Sequence, residues 1–248
     1  MSKITVCLSY YNQVEVLKQQ VLSWLVFPRN IVKQYTFFIM DDCSKIPAEE
    51  VLKNINTSRL DLHIYRVEED LYCNIAGVRN LGAMECETEW MIILDMDTFI
   101  PPVMSAQLLQ LTQNNKSRVA YKFNRDISND SSMLQKNPSG FKPHPAVCLI
   151  RKTDYWDIGG CEEDLVGNYG MTDPSFWYKA KDKVKIEIKE NLYLKHKEEG
   201  AADIVRDTSV NRRLIVEKKK NNSWSTDYIR FKWRKVNTYI DANNIKLF

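Results

Sequence analysis

The sequence lacks the features that mark several common classes of protein. Its six cysteines include no Cys-x-x-Cys pair, so a metal-finger fold has no support. Cys7 and Cys86 lie inside apolar or helical patterns and are predicted to be reduced core residues, which favours a reducing, cytoplasmic setting. No apolar run reaches the roughly 18 residues of a membrane span, and the N-terminus begins directly as a strand without an apolar leader. We therefore expect a soluble protein that could still bind a membrane surface.

Glycine is scarce and unevenly distributed along the chain. There are eight glycines, none of them in the first 76 residues, and four lie between positions 159 and 170. Glycine concentrates where the backbone needs a positive φ or approaches another group closely. The acids interleaved with these four glycines predict a shaped loop that places a carboxylate. A flexible surface turn is the alternative interpretation.

Charge is nearly balanced overall, but one segment is strongly basic. Lys and Arg total 35 against 32 for Asp and Glu, a formal charge of +3 that gives no general reason to expect nucleic-acid binding. Residues 211–235 hold nine Lys or Arg and only two acids. Trp224, Phe231 and Trp233 lie among these basic residues. This pattern suggests contact with an anionic membrane surface or an acidic glycan, and an ordinary solvated face is the alternative.

Apolar patterns alternate along the first half between strand and helix. Strand-like runs occur at 3–8, 35–40, 62–67, 91–94 and 119–123, and helix-like spacing occurs at 14–25, 48–55, 75–81 and 103–113. This alternation predicts an α/β fold with a mainly parallel sheet and helices on both faces. In such sheets ligands bind beyond the carboxyl ends of the strands.

Three polar clusters, at residues 9–12, 41–44 and 95–98, fall at predicted carboxyl ends of strands. Asp95 and Asp97 directly follow a buried apolar run. Buried strands seldom end on paired acids without a counter-charge, because unpaired charge is costly to desolvate. A divalent cation holding a diphosphate would supply that charge, and Mg²⁺ or Mn²⁺ prefers oxygen ligands. A solvated strand end is the alternative for this pair alone.

The clusters resemble a known pattern. Ser-Tyr-Tyr-Asn, Phe-Phe-Ile-Met-Asp-Asp-Cys-Ser, Gly-Val-Arg-Asn-Leu-Gly and Ile-Leu-Asp-Met-Asp occur in the order and rough spacing of family 2 glycosyltransferases with the GT-A fold. The resemblance covers about residues 3–100 and continues more loosely to His196. It implies a Rossmann-like, mainly parallel central sheet flanked by helices, and transfer of a sugar from a nucleotide-sugar to an acceptor, usually with inversion and with Mn²⁺ or Mg²⁺.

The resemblance also implies a division of the chain. Residues 1–197 would form the GT-A catalytic domain, with 1–100 binding the nucleotide-sugar and 101–197 binding the acceptor. Residues 198–248 would be a basic, mainly helical C-terminal extension. Uridine diphosphate is the commonest donor nucleotide of the family, and guanosine and thymidine nucleotides stay open.

Individual roles follow by position in the motifs. Ser9, Tyr11 and Asp42 would hold the nucleotide base and ribose, whereas Asp41 would be structural. Arg79 resembles the basic residue of the family near the donor, where a guanidinium can meet phosphate oxygens.

The same comparison implies a metal site. Asp97 resembles the principal metal ligand, and Asp95 would touch the ribose or the metal. His196, after an apolar stretch, lies where related enzymes often place a further ligand. The metal would act as a Lewis acid that neutralises charge on the leaving nucleoside diphosphate.

The glycine-rich loop resembles the second signature of the family, where Gly-Gly precedes a Glu-Asp pair that opens a helix. Thr172-Asp173 stands there in this chain, so the Glu is missing. Asp173 is the candidate general base. It could instead be a helix N-cap, with Pro174 at the first helical position. The rival bases are Glu162, Glu163 and Asp164.

Other residues have weaker assignments. His144 lies in a predicted loop between two prolines that would frame the acceptor or simply form a rigid turn, and His63 is predicted to be structural. Trp177, Tyr169 and Trp156 offer faces on which a sugar ring could stack, although core packing is the usual role of such residues.

Two other functions compete with glycosyl transfer. A sugar nucleotidyltransferase usually carries a glycine-rich loop after its first strand, where this chain has none. A non-catalytic glycan- or membrane-binding module of the same fold would use the basic C-terminal segment.

Overall fold

The computed structural model describes residues 3–113, 115, 117–128, 135, 139–197 and 204–236. The strands in this part of the chain are β1 (Ile4–Tyr10), β2 (Tyr35–Asp41), β3 (Asp61–Val67), β4 (Trp90–Leu94), β5 (Thr98–Phe99), β6 (Val119–Asp126), β7 (Phe141–Arg151), β8 (Lys185–His196) and β9 (Trp233–Val236). The helices are α1 (Val14–Leu25), α2 (Arg29–Val32), α3 (Ala48–Leu52), α4 (Ile75–Glu85), α5 (Pro102–Thr112), α6 (Lys152–Ile158), α7 (Thr172–Ala180) and α8 (Ser209–Asn221), with a 3₁₀ turn at Glu163–Leu165. None of the helices in the described ranges is long and apolar enough to cross a membrane.

All nine strands join one sheet in the order β5-β8-β6-β7-β4-β1-β2-β3-β9. The central neighbours β4, β1, β2 and β3 are parallel. β7 and β9 flank them in the antiparallel sense. The predicted α/β fold with a parallel central sheet is therefore confirmed. Because parallel strands end at the same edge of a sheet, the residues after β1, β2 and β4 lie close together.

The central strands are buried because helices cover both faces of the sheet. Every residue of β2 and β4 is buried, which explains their continuous apolar sequences. On one face, Trp24 of α1 stacks on Phe37 of β2 with ring centroids 4.7 Å apart. On the other face, α4 approaches β1 closely at Gly82, where an added Cβ would lie 3.2 Å from Sγ of Cys7. This close packing fixes α4 beside the strand ends. Cys7 and Cys86 are buried free thiols, as predicted.

The interpretation of His144 as part of a loop or rigid turn is wrong. His144 lies in the middle of β7, which pairs with β6 and β4. Pro143 and Pro145 hid this strand because proline cannot donate a ladder hydrogen bond. A register shift in the pairing with β6, between Lys122 and Asn124, accommodates the two prolines.

The basic C-terminal segment forms a helix and then a strand. In the described part, residues 204–236, it contains α8 and β9, and the strand is a feature that the sequence did not predict. β9 pairs antiparallel with β3, and Trp233 packs against Tyr65 with ring centroids 5.9 Å apart. The segment therefore completes one edge of the sheet. The domain boundary at residue 197 stays a prediction.

Candidate active site

An open cleft lies at the carboxyl ends of the central strands. The three polar clusters of the sequence contribute Ser9, Tyr11, Asp42, Asp95 and Asp97 to its lining. The remaining lining residues include Cys73, Ile75, Val78, Tyr169, Ile204 and Arg206. The fold thus brings together side chains that are far apart in the sequence.

Asp41, at the end of β2, is fully buried and fully engaged. Its carboxylate accepts hydrogen bonds from the backbone N–H groups of Ser44, at 2.8 Å, and Ala48, at 3.0 Å. Arg66 of β3 forms an ion pair with the same carboxylate at 2.5 Å. Asp41 therefore fixes the turn after β2 and directs the next residue toward the cleft.

Asp42 is also buried, but one of its oxygens has no partner. Oδ2 accepts a hydrogen bond from the backbone N–H of Asn74 at 3.1 Å. Oδ1 is enclosed and meets no hydrogen-bond donor among the described residues. Burial raises the pKa of Asp42 to about 7. An enclosed acceptor without a donor, on the wall of a cleft, is suited to receive an N–H or O–H group of a ligand.

Asp42→Asn is expected to make the protein more stable at pH 8. The folded-state pKa of about 7 lies above the ordinary value of 3.8, so folding favours the protonated acid. The contribution of protonated Asp42 to the free energy of unfolding is fully present below about pH 4 and is lost as the pH rises through 7. At about 1.4 kcal/mol per pKa unit, the variant should gain on the order of 2–4 kcal/mol at pH 8.

Urea unfolding of both proteins between pH 4 and pH 8 would measure this gain, with Asp182→Asn as an exposed control. If the difference in free energy of unfolding between wild type and Asp42→Asn is the same at pH 4 and pH 8, the pKa of Asp42 is not raised in the folded protein.

Asp95 and Asp97 lie in the loop between β4 and β5, which α1 holds in place. Nε2 of Gln20, a buried residue of α1, donates to the backbone carbonyls of Met96 and Thr98, each at 2.8 Å. Burial and the neighbouring Asp95 raise the pKa of Asp97. Two acids held together in this way favour binding of a cation, since a cation would remove their mutual repulsion.

His196 lies beside Asp97, at one side of the acid pair. β8 pairs with β5 so that His196 lies opposite Thr98. Nδ1 of His196 lies 3.8 Å from Oδ2 of Asp97 and, among the described residues, is buried without a hydrogen-bond partner. Two carboxylates and a free imidazole nitrogen are ligands that Mn²⁺ accepts, so the residues present fit a divalent metal ion.

His144 also lies near the acid pair, within 4.8 Å of both ligand atoms, yet it is a poor metal ligand. Its Nδ1 accepts hydrogen bonds from the backbone N–H groups of Ala146 and Val147, each at 3.1 Å. Burial lowers the pKa of His144 to about 3, so the ring is neutral and its proton is on Nε2. Nε2 then donates to Oγ1 of Thr98 at 3.0 Å, and Oγ1 donates to Oδ1 of Asp97 at 2.9 Å. His144 therefore orients Asp97 through Thr98.

Arg79 connects the acid pair with the glycine-rich loop. It lies on α4, and its side chain is only 4% exposed. One guanidinium nitrogen donates to Asp95 at 2.8 Å and another donates to Asp173 at 2.7 Å. Because a buried guanidinium needs such partners, Arg79 holds both carboxylates at fixed positions.

Asp173 is the second residue of α7. The helix begins at Thr172, with Met171 in the cap position, so the N-cap interpretation of Asp173 is wrong. Oδ1 is bound by Arg79, and Oδ2 accepts no hydrogen bond from the described residues. The side chain is 27% exposed. One carboxylate oxygen of Asp173 is therefore available at the surface.

The three rival acids bind the C-terminal segment instead. Glu162 accepts from the backbone of Ser225, and Glu163 accepts from the backbone of Ile229. Asp164 forms ion pairs with Lys218 and Arg230. Glu162 and Glu163 are almost fully buried. None of the three lines the cleft, so their positions indicate a structural role.

The aromatic candidates have different surroundings. Tyr169 lines the cleft. Trp177 donates from Nε1 to the carbonyl of Pro145 at 2.6 Å, and Nζ of Lys122 lies 4.4 Å from its ring centroid. The ring of Trp156 packs against Tyr155 and Tyr228.

The third histidine, His63, lies in β3. It pairs with Asp61 at 3.0 Å and packs edge-on against Phe38. This position agrees with its predicted structural role.

Four residues around the cleft adopt positive φ angles without being glycine. Asn12 follows β1 with φ 55°, and Cys43 follows β2 with φ 55°. Tyr72 and Cys73, which precede α4, have φ 47° and 58°. Side chains larger than glycine are strained in this region, and such strain concentrates at functional sites. The first 76 residues, which contain no glycine, thus make their tight turns with strained residues.

The sequence did not identify Gln20, Cys73, Ile204 or Arg206 as site residues. Gln20 looks like any helix residue, since nothing local shows that its amide reaches the acid loop. Ile204 and Arg206 lie outside all the motifs. Only the folded chain brings them to the cleft.

Solved structures with a similar fold are glycosyltransferases. The mannosyltransferase PcManGT from Pyrobaculum calidifontis, in complex with GDP-Man and Mn²⁺, matches with a TM-score of 0.61 at 13% identity over 81% of this chain. S. aureus TarS (1–349) in complex with UDP-GlcNAc matches with a TM-score of 0.62 at 15% identity over 90% of this chain. The catalytic domain of Drosophila beta1,4galactosyltransferase 7 in complex with xylobiose matches with a TM-score of 0.51 at 13% identity over 84% of this chain.

These matches cover 58%, 68% and 76% of the respective structures, so the chain spans less than two thirds of the length of PcManGT. At such low identity they establish the GT-A fold. No curated protein sequence matches this chain. Residues 5–161, more than half of the chain, match the sequence pattern described as glycosyl transferase family 2. With the strand-end motifs and the fold in agreement, this chain belongs to glycosyl transferase family 2.

Proposed function

We propose that this protein is a metal-dependent, inverting glycosyltransferase that moves a sugar from a nucleoside-diphosphate sugar to a hydroxyl of a glycan or another acceptor. The observation that carries the proposal is the bridge made by Arg79 between Asp95 and Asp173. The guanidinium of Arg79 thereby fixes the positions of two acids, Asp95 at the cleft and Asp173 outside it.

Asp97, Asp95 and His196 would hold Mn²⁺ or Mg²⁺. The fit rests on two carboxylates whose charges lie close together and on a buried imidazole nitrogen that has no hydrogen-bond partner among the described residues. When bound, the metal ion neutralises negative charge on the diphosphate. Thr98 and His144 keep the carboxylate of Asp97 oriented before the ion arrives.

Asp42, Ser9 and Tyr11 would bind the nucleoside. The free Oδ1 of Asp42 can accept a hydrogen bond from the ring N–H of uracil, thymine or guanine. We expect uridine diphosphate to be the nucleotide. Tyr11 is held by a hydrogen bond from its hydroxyl to Asp70 at 3.1 Å, which fixes its ring at the cleft wall.

Asp173 would act as the general base. Its Oδ2 accepts the proton of the acceptor hydroxyl while the acceptor oxygen attacks the anomeric carbon. The bond between that carbon and the diphosphate oxygen breaks on the opposite face of the sugar, which inverts the configuration. The hydrogen bond from Arg79 limits the rotation of Asp173, so the proton acceptor is already in place.

The alternative of a non-catalytic glycan- or membrane-binding module rests on the basic C-terminal segment. Three of its basic residues are engaged within the protein, since Lys218 and Arg230 pair with Asp164, and Arg234 pairs with Glu49. Fewer charges are therefore left for a membrane than the sequence suggests.

Calorimetric titration with UDP, GDP and dTDP, with and without Mn²⁺, tests the proposal. We expect one nucleotide to bind tightly, and only with Mn²⁺ present, and the matching nucleotide-sugar to release nucleotide slowly by hydrolysis. Absence of binding for all three would reject the transferase. Binding without any hydrolysis or transfer would favour the non-catalytic module.

A further inference from the structure

Residues 204–208 reach the donor cleft from outside the part of the chain that matches the family, which ends at residue 161. The backbone N–H of Val205 donates to the hydroxyl of Tyr72 at 2.7 Å, beside the strained turn that precedes α4. At the other end, Thr208 packs against Gly170, where a Cβ would come within 2.7 Å of its Cγ2. The segment is thus fixed at both ends.

Asn211 of α8 strengthens this attachment. Its buried Nδ2 donates to the backbone carbonyls of Leu165, Asn168 and Gly170, at 3.1, 2.9 and 2.9 Å. These carbonyls belong to the glycine-rich loop that leads to Asp173. Residues 204–208 and the loop before Asp173 therefore form one connected structure at the rim of the cleft.

This connection places Arg206 at the cleft. Among the described residues that line the cleft, Arg206 is the one with a positive charge, alongside Asp42, Asp95 and Asp97. It forms no hydrogen bond or ion pair with any described residue. The guanidinium of Arg79, by contrast, is already divided between two carboxylates.

The charges in the cleft favour binding of phosphate oxygens by Arg206. A nucleoside diphosphate brings more negative charge than one divalent ion can offset when that ion is also bound by two carboxylates. Arg79 is buried and engaged, so it has little capacity left for phosphate oxygens. A guanidinium on an anchored segment can approach phosphate oxygens with two parallel N–H groups.

We propose that Arg206 binds the diphosphate of the donor and of the leaving nucleotide, so that residues 204–208 supply part of the donor site. The inference rests on the proposed function, because it assumes that a nucleoside diphosphate occupies the cleft. The nucleoside itself lies with Asp42 and Tyr11 and should be indifferent to Arg206.

The test compares a nucleoside diphosphate with its nucleoside, for example UDP with uridine, by calorimetry in the presence of Mn²⁺. Arg206→Ala should weaken UDP binding about 10- to 100-fold, the range for a hydrogen bond to a charged group, and leave uridine binding unchanged. Arg206→Lys should recover part of the loss. Arg213→Ala, an exposed arginine of α8 outside the cleft, is the matched control and should bind UDP as the wild type does.

Three results would overturn the inference. If UDP binds equally well to wild type and Arg206→Ala while the wild type turns over its donor, Arg206 has no role in binding and the proposed function stands. If UDP and uridine weaken together, Arg206 acts only on the shape of the cleft. If the wild type binds none of the three nucleotides, the inference and the proposed function fail together.

Discussion

Asp97→Asn is expected to remove nearly all sugar transfer, by on the order of 10³-fold, from a protein that stays folded. Asparagine keeps the shape of the side chain and the hydrogen bond from Thr98, but it is a weak ligand for a divalent cation. The fold should tolerate the change, because burial and Asp95 already raise the pKa of Asp97. Removing one of two repelling carboxylates relieves the structure when no cation is bound.

The measurement is the rate of nucleotide release in the presence of acceptor and Mn²⁺, together with the affinity for Mn²⁺. Asp157→Asn, which changes a 62% exposed acid paired with Arg118, is the control and should keep full activity. A folded Asp97→Asn protein with undiminished activity would reject the metal assignment. Loss of activity together with loss of the thermal transition would instead indicate unfolding.

Asp173→Asn should lower turnover about 10²- to 10⁴-fold while donor affinity changes less than about threefold. The asparagine oxygen can still accept the hydrogen bond from Arg79, so the bridge to Asp95 and the shape of the cleft persist. What disappears is the ionised Oδ2 that takes the proton of the acceptor. The loss therefore falls on kcat rather than on binding.

Two measurements separate a base from a structural residue at this position. Calorimetry gives donor affinity, and initial rates at saturating donor give kcat for wild type, Asp173→Asn and the control Asp182→Asn, which alters a highly exposed acid just beyond α7. A collapse of donor affinity with kcat retained would show that Asp173 is not the base. Intact turnover would exclude Asp173 and leave the base to another residue.

The strand-end acids could be predicted because each follows an apolar run that has only one reasonable interpretation. Phe37 to Met40 and Met91 to Leu94 are short apolar runs, and each is followed by an acid. Their strands are both parallel to β1, which sets the acids at the same edge of the sheet. The choice of Asp173 over its rivals could not be made from sequence. Glu162 and Glu163 look equally available until the C-terminal segment covers them.

The features that the sequence missed depend on contacts between distant residues. β7 is concealed by its two prolines, and β9 by a short basic sequence that forms a strand because the edge of β3 is open to pairing. His144 and His196 illustrate the same limit. Their roles differ because backbone N–H groups occupy Nδ1 of His144, whereas Nδ1 of His196 meets no donor among the described residues.

The strained turns around the cleft have a thermodynamic consequence for ligand binding. Each of Asn12, Cys43, Tyr72 and Cys73 holds a backbone angle that glycine would adopt without cost. The surrounding contacts that enforce these angles have already restricted the chain, at roughly 1–3 kcal/mol for each strained residue. A donor that enters this cleft therefore has little loop entropy left to remove, and more of its contact energy is retained as affinity.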